Sequence, residues 1–572
     1  MKKKSTKIAV GILSAAMLMS ILSACGKSTT TTDKTPTEAS KKPITLKVYG
    51  AQGFPGQFTS GVQTDPVSKA ITDKTGVSLD WDMNPSADKT NALIASGDLP
   101  DILVLSSTGI NMESLVKSGA LTDLSTLVDS NGSEIKKVAS KALDFSKQNL
   151  SNKTNKLYYL PGRVTVGASS SLIYSPVVGL FMRWDYYKEI GSPTLNNYDD
   201  VITALSKIQK NHPKTADGKK TYGFSMWQDW GKWHYTVLSE VTRSVNGVPG
   251  AGAVNYVDYA NNYAFVDGLK SDNSPLWVDG EMYNKAYRAG LIDPDSFTQA
   301  YAQATSKMDA GQVLCQVAQW LTDGPNATLV KTGTKDAGYV SIPLKGAAYS
   351  SANYNPVGLA EYWSISSKCK DPKRAMDVIN YIYSAECSRN FLSGAKGDTW
   401  TADASGKATL TDKGIKLKSD ANFMITSGAR KFQNFPGIDN YSKDSTGQFI
   451  DLYSDPDVLA KTLTPLKQDW LKAYGTTSEN DFWHKNGGIA TNSTFGQLLP
   501  TAQDDIARLD AKIATYLQAN LAKLVMAKSE ADFASVKAQI IKDVTAMDGY
   551  QAYVDWAKKA VETGKAGIAN YK

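Results

Sequence analysis

The sequence predicts an α/β protein of two or more lobes, built on mainly parallel sheets flanked by helices. Two observations predict this class. Between residues 44 and 105, strand patterns and helix patterns alternate in the order strand, helix, strand, helix, strand, which favours a parallel sheet covered by helices. The chain has 572 residues, which is too long for a single hydrophobic core.

The first 24 residues have the pattern of a secretory signal. Four lysines within the first seven residues precede an apolar or small run at 8–24, and Cys25 follows directly. Leu22-Ser23-Ala24-Cys25 resembles the bacterial lipoprotein box, in which the Cys receives a diacylglyceryl group. The alternative is an ordinary signal peptide that contains a cysteine. The polar residues after Cys25, up to position 43, are expected to form a flexible tether.

Composition argues against several kinds of partner and site. Loss of the four signal lysines would lower the formal net charge from +7 to +3, too small a charge to indicate nucleic acid or an anionic membrane surface. The remaining cysteines and the histidines show no metal-ligand spacing; they are Cys315, Cys369, Cys387, His212, His234 and His484. We therefore expect no metal and no cofactor. One disulfide remains open, although buried free thiols are favoured.

The first part of the chain supplies the alternating elements. Strand patterns at 44–50, 77–81 and 102–105 are separated by helix patterns at 66–75 and 87–96. Later elements are a strand at 156–162, a strand and short helix at 179–191, amphipathic helices at 198–210 and 371–386, and three helices from residue 501 onward.

Several short motifs occur in a fixed order along the chain. They are SGDLPD at 96–101, KLYYLP at 156–161, MRWDYYKEIG at 182–191, GLIDP at 290–294, and WSIS at 363–366 followed by Asp371-Pro372. In this order they resemble the family 1 extracellular solute-binding proteins of bacterial ABC importers. The sequence is most similar to the large, lipid-anchored branch of Gram-positive bacteria that is associated with oligosaccharides. The resemblance covers nearly the whole mature chain.

The resemblance implies a two-lobed, periplasmic-binding-protein-like fold of type II, with a hinge between the lobes and extra C-terminal helices. The first lobe would comprise 44–165 plus 362–430, and the second 166–361 plus 431–572. A monomer on the extracellular face of the cell membrane would capture an oligosaccharide in the interlobe cleft and deliver it to an ABC transporter permease. The family's members are not enzymes.

A sugar offers an apolar C–H face and a rim of hydroxyls, so its site needs aromatic rings beside acids or amides. The segment 226–235 has three tryptophans within seven residues, and from it we predict Trp227, Asp229 and Trp230 as ligand contacts. Gln319 and Trp320 follow the apolar run 313–318. The resemblance implies a sugar-stacking tryptophan at Trp320.

Further candidates lie at the ends of first-lobe strands and beside the two crossovers between the lobes: Gln57, Ser107, Arg183, Tyr354, Glu361 and Trp363. A structural salt bridge is an equally good interpretation of Arg183, and a hinge-lining role suits Trp363 better than stacking.

Relatives often carry a calcium loop after the helix that matches 198–210. Here Asp217 is the only carboxylate between residues 212 and 221, and calcium needs several oxygen ligands, so we predict no calcium. Three alternatives remain for the function, and one of them is a sensor or adhesin that shares the fold. A surface-anchored glycoside-cleaving enzyme would need a carboxylate pair such as Asp229 and Glu361. The same fold could instead bind a peptide, a polyamine or another small solute. An anionic oligosaccharide would call on Arg163, Arg183 and Lys232.

Overall fold

The structure is a computed structural model that describes residues 42–50, 60–83, 87–106, 112–168, 175–331, 336–359, 361–417 and 423–571. Cys25 and the predicted signal lie outside the described residues, as do Gln57 and Ser107. Residues 43–572 form one compact unit. None of the described helices is both long enough and apolar enough to cross a membrane.

The strands are, in chain order, β1 Ile44–Gly50, β2 Gly61–Val62, β3 Val77–Asp82, β4 Ile102–Ser106, β5 Leu160–Pro161, β6 Val178–Arg183, β7 Val245–Gly247, β8 Asn255–Asp258, β9 Ala264–Asp267, β10 Cys315–Ala318, β11 Tyr339–Ser341, β12 Tyr349–Tyr354, β13 Glu361–Ile365, β14 Trp400–Ala402, β15 Ala408–Leu410 and β16 Gly488–Asn492.

The α-helices are α1 Pro66–Thr75, α2 Ala87–Ser96, α3 Met112–Lys117, α4 Ser125–Asn131, α5 Ser133–Asn149, α6 Trp184–Glu189, α7 Tyr198–Asn211, α8 Trp233–Thr242, α9 Pro275–Arg288, α10 Tyr301–Asp309, α11 Asp323–Lys331, α12 Pro372–Ile382, α13 Ala385–Ser393, α14 Asp412–Leu417, α15 Phe423–Ser427, α16 Pro456–Thr462, α17 Pro465–Ala473, α18 Glu479–Lys485, α19 Thr494–Leu498, α20 Asp504–Val525, α21 Glu530–Thr545 and α22 Tyr550–Ile568. Short 3₁₀ turns occupy Pro294–Phe297, Gln319–Leu321, Leu452–Ser454 and Ala569–Tyr571.

The first sheet confirms the predicted parallel start of the fold. Its order is β2-β3-β1-β4-β13-β5, and β1 pairs in parallel with both β3 and β4. Local signals define the first crossover helix, because Asp65 accepts a hydrogen bond from the Ser68 amide at 2.9 Å. At its other end Gly76, with φ 67°, donates its N–H to the Thr72 carbonyl.

The second sheet is smaller and differs from the parallel pattern predicted for it. Its order is β10-β6-β11, and both outer strands run antiparallel to β6. Parallel pairing next to this sheet occurs in isolated bridges, which join Tyr222 to Val313 and Phe224 to Ile292. A separate hydrophobic core surrounds each sheet.

Two predicted elements have different bounds in the structure. The strand expected at 156–162 is only β5, two residues long. The helix expected at 371–386 is two helices, α12 and α13, since the Ser384 side chain accepts a hydrogen bond from the Cys387 amide at 3.1 Å and begins a second helix. A serine at the N-cap satisfies an amide that a continuous helix would satisfy with its own backbone.

The three predicted C-terminal helices are α20, α21 and α22, and they pack against the second core. The buried Asn284 side chain of α9 donates hydrogen bonds to the carbonyls of Val525 and Ala527, at 2.9 and 2.7 Å, where α20 ends. These bonds satisfy carbonyls that have no partner within a helix. The contacts favour grouping the C-terminal helices with the second lobe.

The division of the chain between the lobes stays a prediction. Phe432 and Phe435, which the predicted boundary at residue 430 gives to the second lobe, lie in the first core. Their ring centroids are 5.5 and 5.3 Å from that of Trp81. This packing favours a boundary for the first lobe that lies beyond residue 435.

Candidate functional site

Five aromatic side chains from three segments around the second core form one cluster, the aromatic patch. Trp227, Trp230 and Trp233 come from the segment that leads into α8. Tyr301 is the first residue of α10, and Trp320 lies in the 3₁₀ turn after β10. The structure therefore brings the two segments predicted from sequence, 227–230 and 319–320, to one place.

The rings of the aromatic patch are arranged as two stacked pairs. Trp230 stacks on Tyr301 with ring centroids 4.4 Å apart and planes 23° apart. Trp233 stacks on Trp320 at 6.1 Å and 29°. The two pairs adjoin, because the Trp230 and Trp233 centroids are 5.9 Å apart. The result is a continuous aromatic surface rather than separate rings.

The outer rings of the patch are exposed and its base is buried. Trp230 is 44% exposed and Trp320 is 36% exposed, whereas Trp227 is fully buried. Trp227 lies edge-to-face beneath Trp230, with centroids 5.5 Å apart. Trp227, predicted as a ligand contact, therefore supports the exposed rings from below. Clustered exposed rings are unusual on a soluble protein and are typical of a binding surface.

The position of Trp320 follows from the end of β10. The buried strand ends at Ala318, and the Gln319 amide then donates to the Val177 carbonyl at 2.8 Å. Val177 directly precedes β6, the strand by which the chain enters the second sheet after β5 of the first sheet. Gln319 and Trp320 are both exposed. They lie at the edge of the second sheet where the chain arrives from the first.

Gln228 fixes the segment that carries the tryptophans. Its amide nitrogen donates to the Gln299 carbonyl at 3.0 Å, and its side chain donates to the Ser296 carbonyl at 2.8 Å. Its own carbonyl accepts a hydrogen bond from the Gln518 side chain of α20 at 2.6 Å. Gly231, with φ 67°, supplies the left-handed turn that separates Trp230 from α8. The rings are thus mounted on a pinned segment.

Two carboxylates flank Tyr301. Asp229 is exposed, and its Oδ1 accepts the Tyr301 amide at 2.9 Å, which satisfies the first N–H of α10. The carboxylate of Asp309, also exposed, lies against Gly324 in the first turn of α11, where an added Cβ would be 2.1 Å from Asp309 Oδ1. Burial, together with the charge of Asp309, raises the pKa of Tyr301, and burial raises the pKa of Asp309 itself.

Arg183 does not lie at the patch. It ends β6 at the edge of the sheet opposite to Val178 and Ala318, and its side chain is 6% exposed. The guanidinium donates to Asp185 through Nε and Nη2, at 2.9 and 2.6 Å, and covers the ring of Tyr186 at 3.9 Å. These contacts favour the structural salt bridge that was the alternative for Arg183, and its role as a ligand contact stays a prediction.

Glu361, Trp363 and Tyr354 lie outside the patch. Glu361 begins β13 opposite Ser106, which ends β4, and is 8% exposed. Burial raises the pKa of Glu361, and the charge of Arg163 opposes that rise. Trp363 is fully buried in the first core, where its Nε1 donates to the Phe435 carbonyl at 3.2 Å. This burial favours the hinge-lining role that was the alternative for Trp363, and its role as a ligand contact stays a prediction.

Tyr354 ends β12, which pairs with β16, and its carbonyl accepts from the Ser493 amide at 3.2 Å. Its side chain is half-buried. Gln57 and Ser107 lie in segments that the structure does not describe. The ligand roles of Tyr354, Glu361, Gln57 and Ser107 stay predictions.

Within the described ranges, no group of three or more His, Cys, Asp or Glu side chains could hold a metal ion. At the loop compared with the calcium loop of relatives, Asp217 pairs with Lys219, with Oδ2 3.0 Å from Nζ. The prediction that this loop binds no calcium stays a prediction. Cys315, Cys369 and Cys387 are free thiols.

Sequence reasoning missed Tyr301 and Gln518. Tyr301 is 72 positions from Asp229 and begins a helix of ordinary composition, and Gln518 is 290 positions from Gln228. Gln518 has no local signal and Tyr301 has only the start of a helix, because each acts through a contact made only after folding. The N-terminal start of α10 was the one feature that could have drawn attention to Tyr301, since helix starts attract acidic caps.

The family model for bacterial extracellular solute-binding proteins matches residues 60–386, more than half of the chain. A sequence comparison with curated proteins gives no match.

Several solved structures have a similar fold. An EF-hand mutant of the Streptococcus pneumoniae ABC-transporter substrate-binding protein FusA, in complex with fructo-nystose, matches with TM-score 0.62 and 17% identity over 91% of this chain and 100% of its own. The alginate-binding protein AlgQ2 without calcium ion matches with TM-score 0.61 and 16% identity over 91% and 99%. An HMO-binding, ABC-transporter-associated protein from Bifidobacterium longum infantis matches with TM-score 0.57 and 16% identity over 91% and 99%.

The fold of this chain is that of two-lobed substrate-binding proteins, as predicted. Because the family model matches more than half of its length, the chain belongs to the family of bacterial extracellular solute-binding proteins.

Proposed function

We propose that this protein is a lipid-anchored extracellular receptor that captures an oligosaccharide between its two lobes and delivers it to an ABC transporter permease. One observation carries the proposal: Trp230 and Trp320, both exposed, are each backed by a second ring and lie on one surface. An aromatic side chain can bury about 150–250 Å² of its surface, and an indole that packs on a ligand buries part of that area. Two exposed indoles connected through the ring of Trp233 therefore suit a ligand with several flat apolar faces in a row.

The polar groups beside the rings suit the other half of a sugar. Asp229 and Gln319 are exposed neighbours of Trp230 and Trp320 in sequence. Hydroxyl groups donate to carboxylates in bonds roughly twice as strong as neutral ones, and a side-chain amide can both donate and accept. An apolar face bordered by such groups matches the C–H face and hydroxyl rim of a pyranose.

The location of the patch supports a site between the lobes. It lies at the edge of the second sheet where the chain arrives from the first. The carboxyl ends of the parallel strands β1, β3 and β4, with the start of β13, form one edge of the first sheet. Open α/β sheets bind ligands at the carboxyl ends of their strands. A hinge motion would then bring the two edges together around a ligand.

The relatives support the class of ligand and the transport role. Solved structures with the same fold include proteins described as binding alginate, fructo-nystose and HMO, two of them as components of ABC transporters. The lipid anchor rests on Leu22-Ser23-Ala24-Cys25. Two acyl chains give the stable membrane attachment that one chain does not.

The contacts of the predicted carboxylate pair favour binding over glycoside cleavage. Asp229 accepts the first N–H of α10, and Glu361 is buried at the start of β13. A hydrolytic pair would have to lie about 5–10 Å apart across the bond to be cleaved. Asp229 has a structural partner, and Glu361 belongs to the other sheet.

A thermal-shift screen of residues 43–572 against plant and bacterial oligosaccharides tests the proposal. A ligand that binds only the folded protein adds about 2.7 kcal/mol at one hundred times its Kd, so we expect one sugar class to raise the Tm without being cleaved. No shift with any sugar would contradict the assignment of an oligosaccharide.

With that sugar, Trp320→Ala should weaken binding at least tenfold. The matched control is Trp556→Ala, because Trp556 is a half-buried tryptophan of α22, outside the patch. That control should lower the Tm of the unliganded protein and leave the affinity unchanged. Equal affinities for wild type and Trp320→Ala would remove the patch from the binding site.

A further inference from the structure

We infer that the aromatic patch selects uncharged oligosaccharides and disfavours those that carry carboxylates, such as uronic-acid oligomers. This inference rests on the proposed function and adds the charge of the ligand. It follows from an asymmetry in the charged residues around the patch. Two exposed carboxylates interact with Tyr301 of the patch, whereas the lysines described in the same segments, Lys232 and Lys307, are paired with acids or turned into the protein.

Both acids interact with Tyr301. Asp229 immediately precedes the exposed ring of Trp230, and its Oδ1 is 2.9 Å from the Tyr301 amide nitrogen. Asp309 lies against Gly324, a few residues after Trp320, and its charge acts on the Tyr301 hydroxyl. Both acids are exposed. A ligand that covers Trp230 and Trp320 would therefore lie close to both carboxylates.

The cations of the same segments do not offset these charges. Lys232 follows the tryptophan loop, but its side chain is only 14% exposed, with Nζ 3.1 Å from the Tyr256 hydroxyl and 3.9 Å from Glu240 Oε1. Lys307 of α10 bridges Asp293 and Asp295, with Nζ–O distances of 2.7 and 2.6 Å. Each ammonium group is thus held by acids of its own surroundings.

Arg163 and Arg183, which were predicted as possible contacts for an anionic sugar, also interact with acids of the protein. Arg183 forms its bidentate pair with Asp185 at the opposite edge of the second sheet. Arg163 acts on two buried carboxyls of the crossover region, Glu361 and Asp439, and holds back the rise in pKa that burial gives them. Recognition of a carboxylate ligand usually uses a free guanidinium in bidentate geometry. The Arg183 guanidinium already faces a carboxylate, and the charge of Arg163 acts on two others.

Like charges then penalise an anionic ligand. A uronate stacked on Trp230 would lie beside Asp229, and the charge of Asp309 acts on Tyr301, whose ring stacks on Trp230. Charges closer than the Debye length, about 8 Å at physiological ionic strength, are only weakly screened. Hinge closure would exclude water and strengthen the repulsion. The hydroxyl that a neutral sugar has in place of the carboxylate can instead donate to Asp229 or Asp309.

Isothermal titration of the 43–572 protein with matched pairs of oligosaccharides tests the inference. Each pair contains a neutral gluco-, galacto- or manno-trisaccharide and the uronic-acid trisaccharide of the same configuration and linkage. In 20 mM salt, the neutral member of any pair that binds should bind at least tenfold more tightly than its uronate. The gap should narrow in 500 mM salt, because screening weakens repulsion between exposed charges.

Charge variants identify the source of the discrimination. Asp229→Asn with Asp309→Asn should reduce the neutral-to-uronate ratio at least threefold, while the Asn oxygen at 229 can still accept the Tyr301 amide. Asp272→Asn is the matched control, since Asp272 is 90% exposed and pairs with Lys537 of α21. That control should leave the ratio unchanged.

The outcomes separate this inference from the proposed function. A uronate that binds as tightly as its neutral partner, or more tightly, would overturn the inference and leave the sugar assignment intact. A ratio that the double variant does not change would overturn the role of Asp229 and Asp309. Absence of binding by every sugar would contradict the proposed function, and the inference with it.

Discussion

The side-chain amide of Gln518 donates a hydrogen bond to the main-chain carbonyl of Gln228, 2.6 Å away. Gln518 lies in the middle of α20, the long helix that packs its apolar face on the second core, and Gln228 lies between Trp227 and Asp229. The C-terminal helices therefore contact the segment that carries the aromatic patch. These helices pack on the second core and also hold the tryptophans in place.

Replacement of Gln518 by Ala should loosen this segment and weaken ligand binding severalfold. A hydrogen bond of this kind contributes about 1 kcal/mol, which corresponds to roughly a fivefold change in affinity. Hydrogen exchange of the amides at 227–233 should become faster. Gln551→Ala is the matched control, because Gln551 bonds only to Asp555 on the exposed side of α22. Unchanged exchange at 227–233 in Gln518→Ala would contradict the bracing role.

Tyr301 should act mainly through its ring. Because the ring stacks on Trp230 with centroids 4.4 Å apart, Tyr301→Phe keeps the support of the indole and should change the affinity less than threefold. Tyr301→Ala removes that support, and the lost packing and stacking, of which stacking alone contributes about 0.5–1.5 kcal/mol, should weaken binding about tenfold. Titration calorimetry measures both variants. A loss of affinity for Tyr301→Phe as large as that for Tyr301→Ala would show that the hydroxyl, not the ring, matters.

His234 should make the protein sensitive to acid. It is buried beside Trp227, and burial lowers the pKa of His234 to about 3. In the unfolded chain His234 binds a proton near pH 6.5, and in the folded chain it does not. The contribution of neutral His234 to the free energy of unfolding is therefore complete above pH 6.5 and is lost as the pH falls towards 3. A tenfold difference in proton affinity between the folded and unfolded chains corresponds to about 1.4 kcal/mol of stability.

His234→Phe removes this titration and keeps an aromatic ring. The free energy of unfolding of His234→Phe, relative to wild type, should therefore rise by several kcal/mol between pH 7 and pH 4. Urea unfolding at several pH values measures the difference. A difference that does not vary with pH would mean that His234 titrates alike in both states.

Asp279 should make the stability of the protein depend on pH in the opposite direction. Burial raises the pKa of Asp279 to about 7, although hydrogen bonds from the Ser239 amide and hydroxyl oppose that rise. The folded protein favours the protonated carboxyl, so this contribution is complete below about pH 3.8 and is lost as the pH rises through 7. The free energy of unfolding of Asp279→Asn, relative to that of wild type, should rise by roughly 4 kcal/mol between pH 4 and pH 8. Identical pH profiles in urea unfolding would refute the raised pKa of Asp279.

Much of the first sheet could be predicted from sequence, because its signals are local. The strand at 44–50, the helices at 66–75 and 87–96, and the three C-terminal helices were predicted from alternation, amphipathic spacing and caps, and the structure confirms them. The antiparallel pairing of β6 with β10 and β11 could not be predicted, because it joins residues far apart in the chain. The break between α12 and α13 had a local signal, Ser384, that was outweighed by the apolar periodicity around it.

Part of the candidate site could be predicted from sequence, because some of its residues also have local signals. Trp230 and Trp320 stand out as tryptophans in polar surroundings, and the structure brings them into one patch. Trp363 and Arg183 have equally suggestive sequence positions, but one is buried against Trp81 and the other is paired with Asp185. Exposure decides between a ring that binds and a ring that packs, and exposure depends on tertiary contacts that no short motif encodes.

A crystal structure of the 43–572 protein with the neutral oligosaccharide found in the screen would test the central claim most directly. We expect a sugar ring packed on the indole of Trp320 or Trp230, with carbon atoms within about 4 Å of the indole plane. We also expect a sugar hydroxyl bonded to Asp229, Asp309 or Gln319. A sugar bound elsewhere on the protein, with both indoles still exposed to solvent, would contradict it.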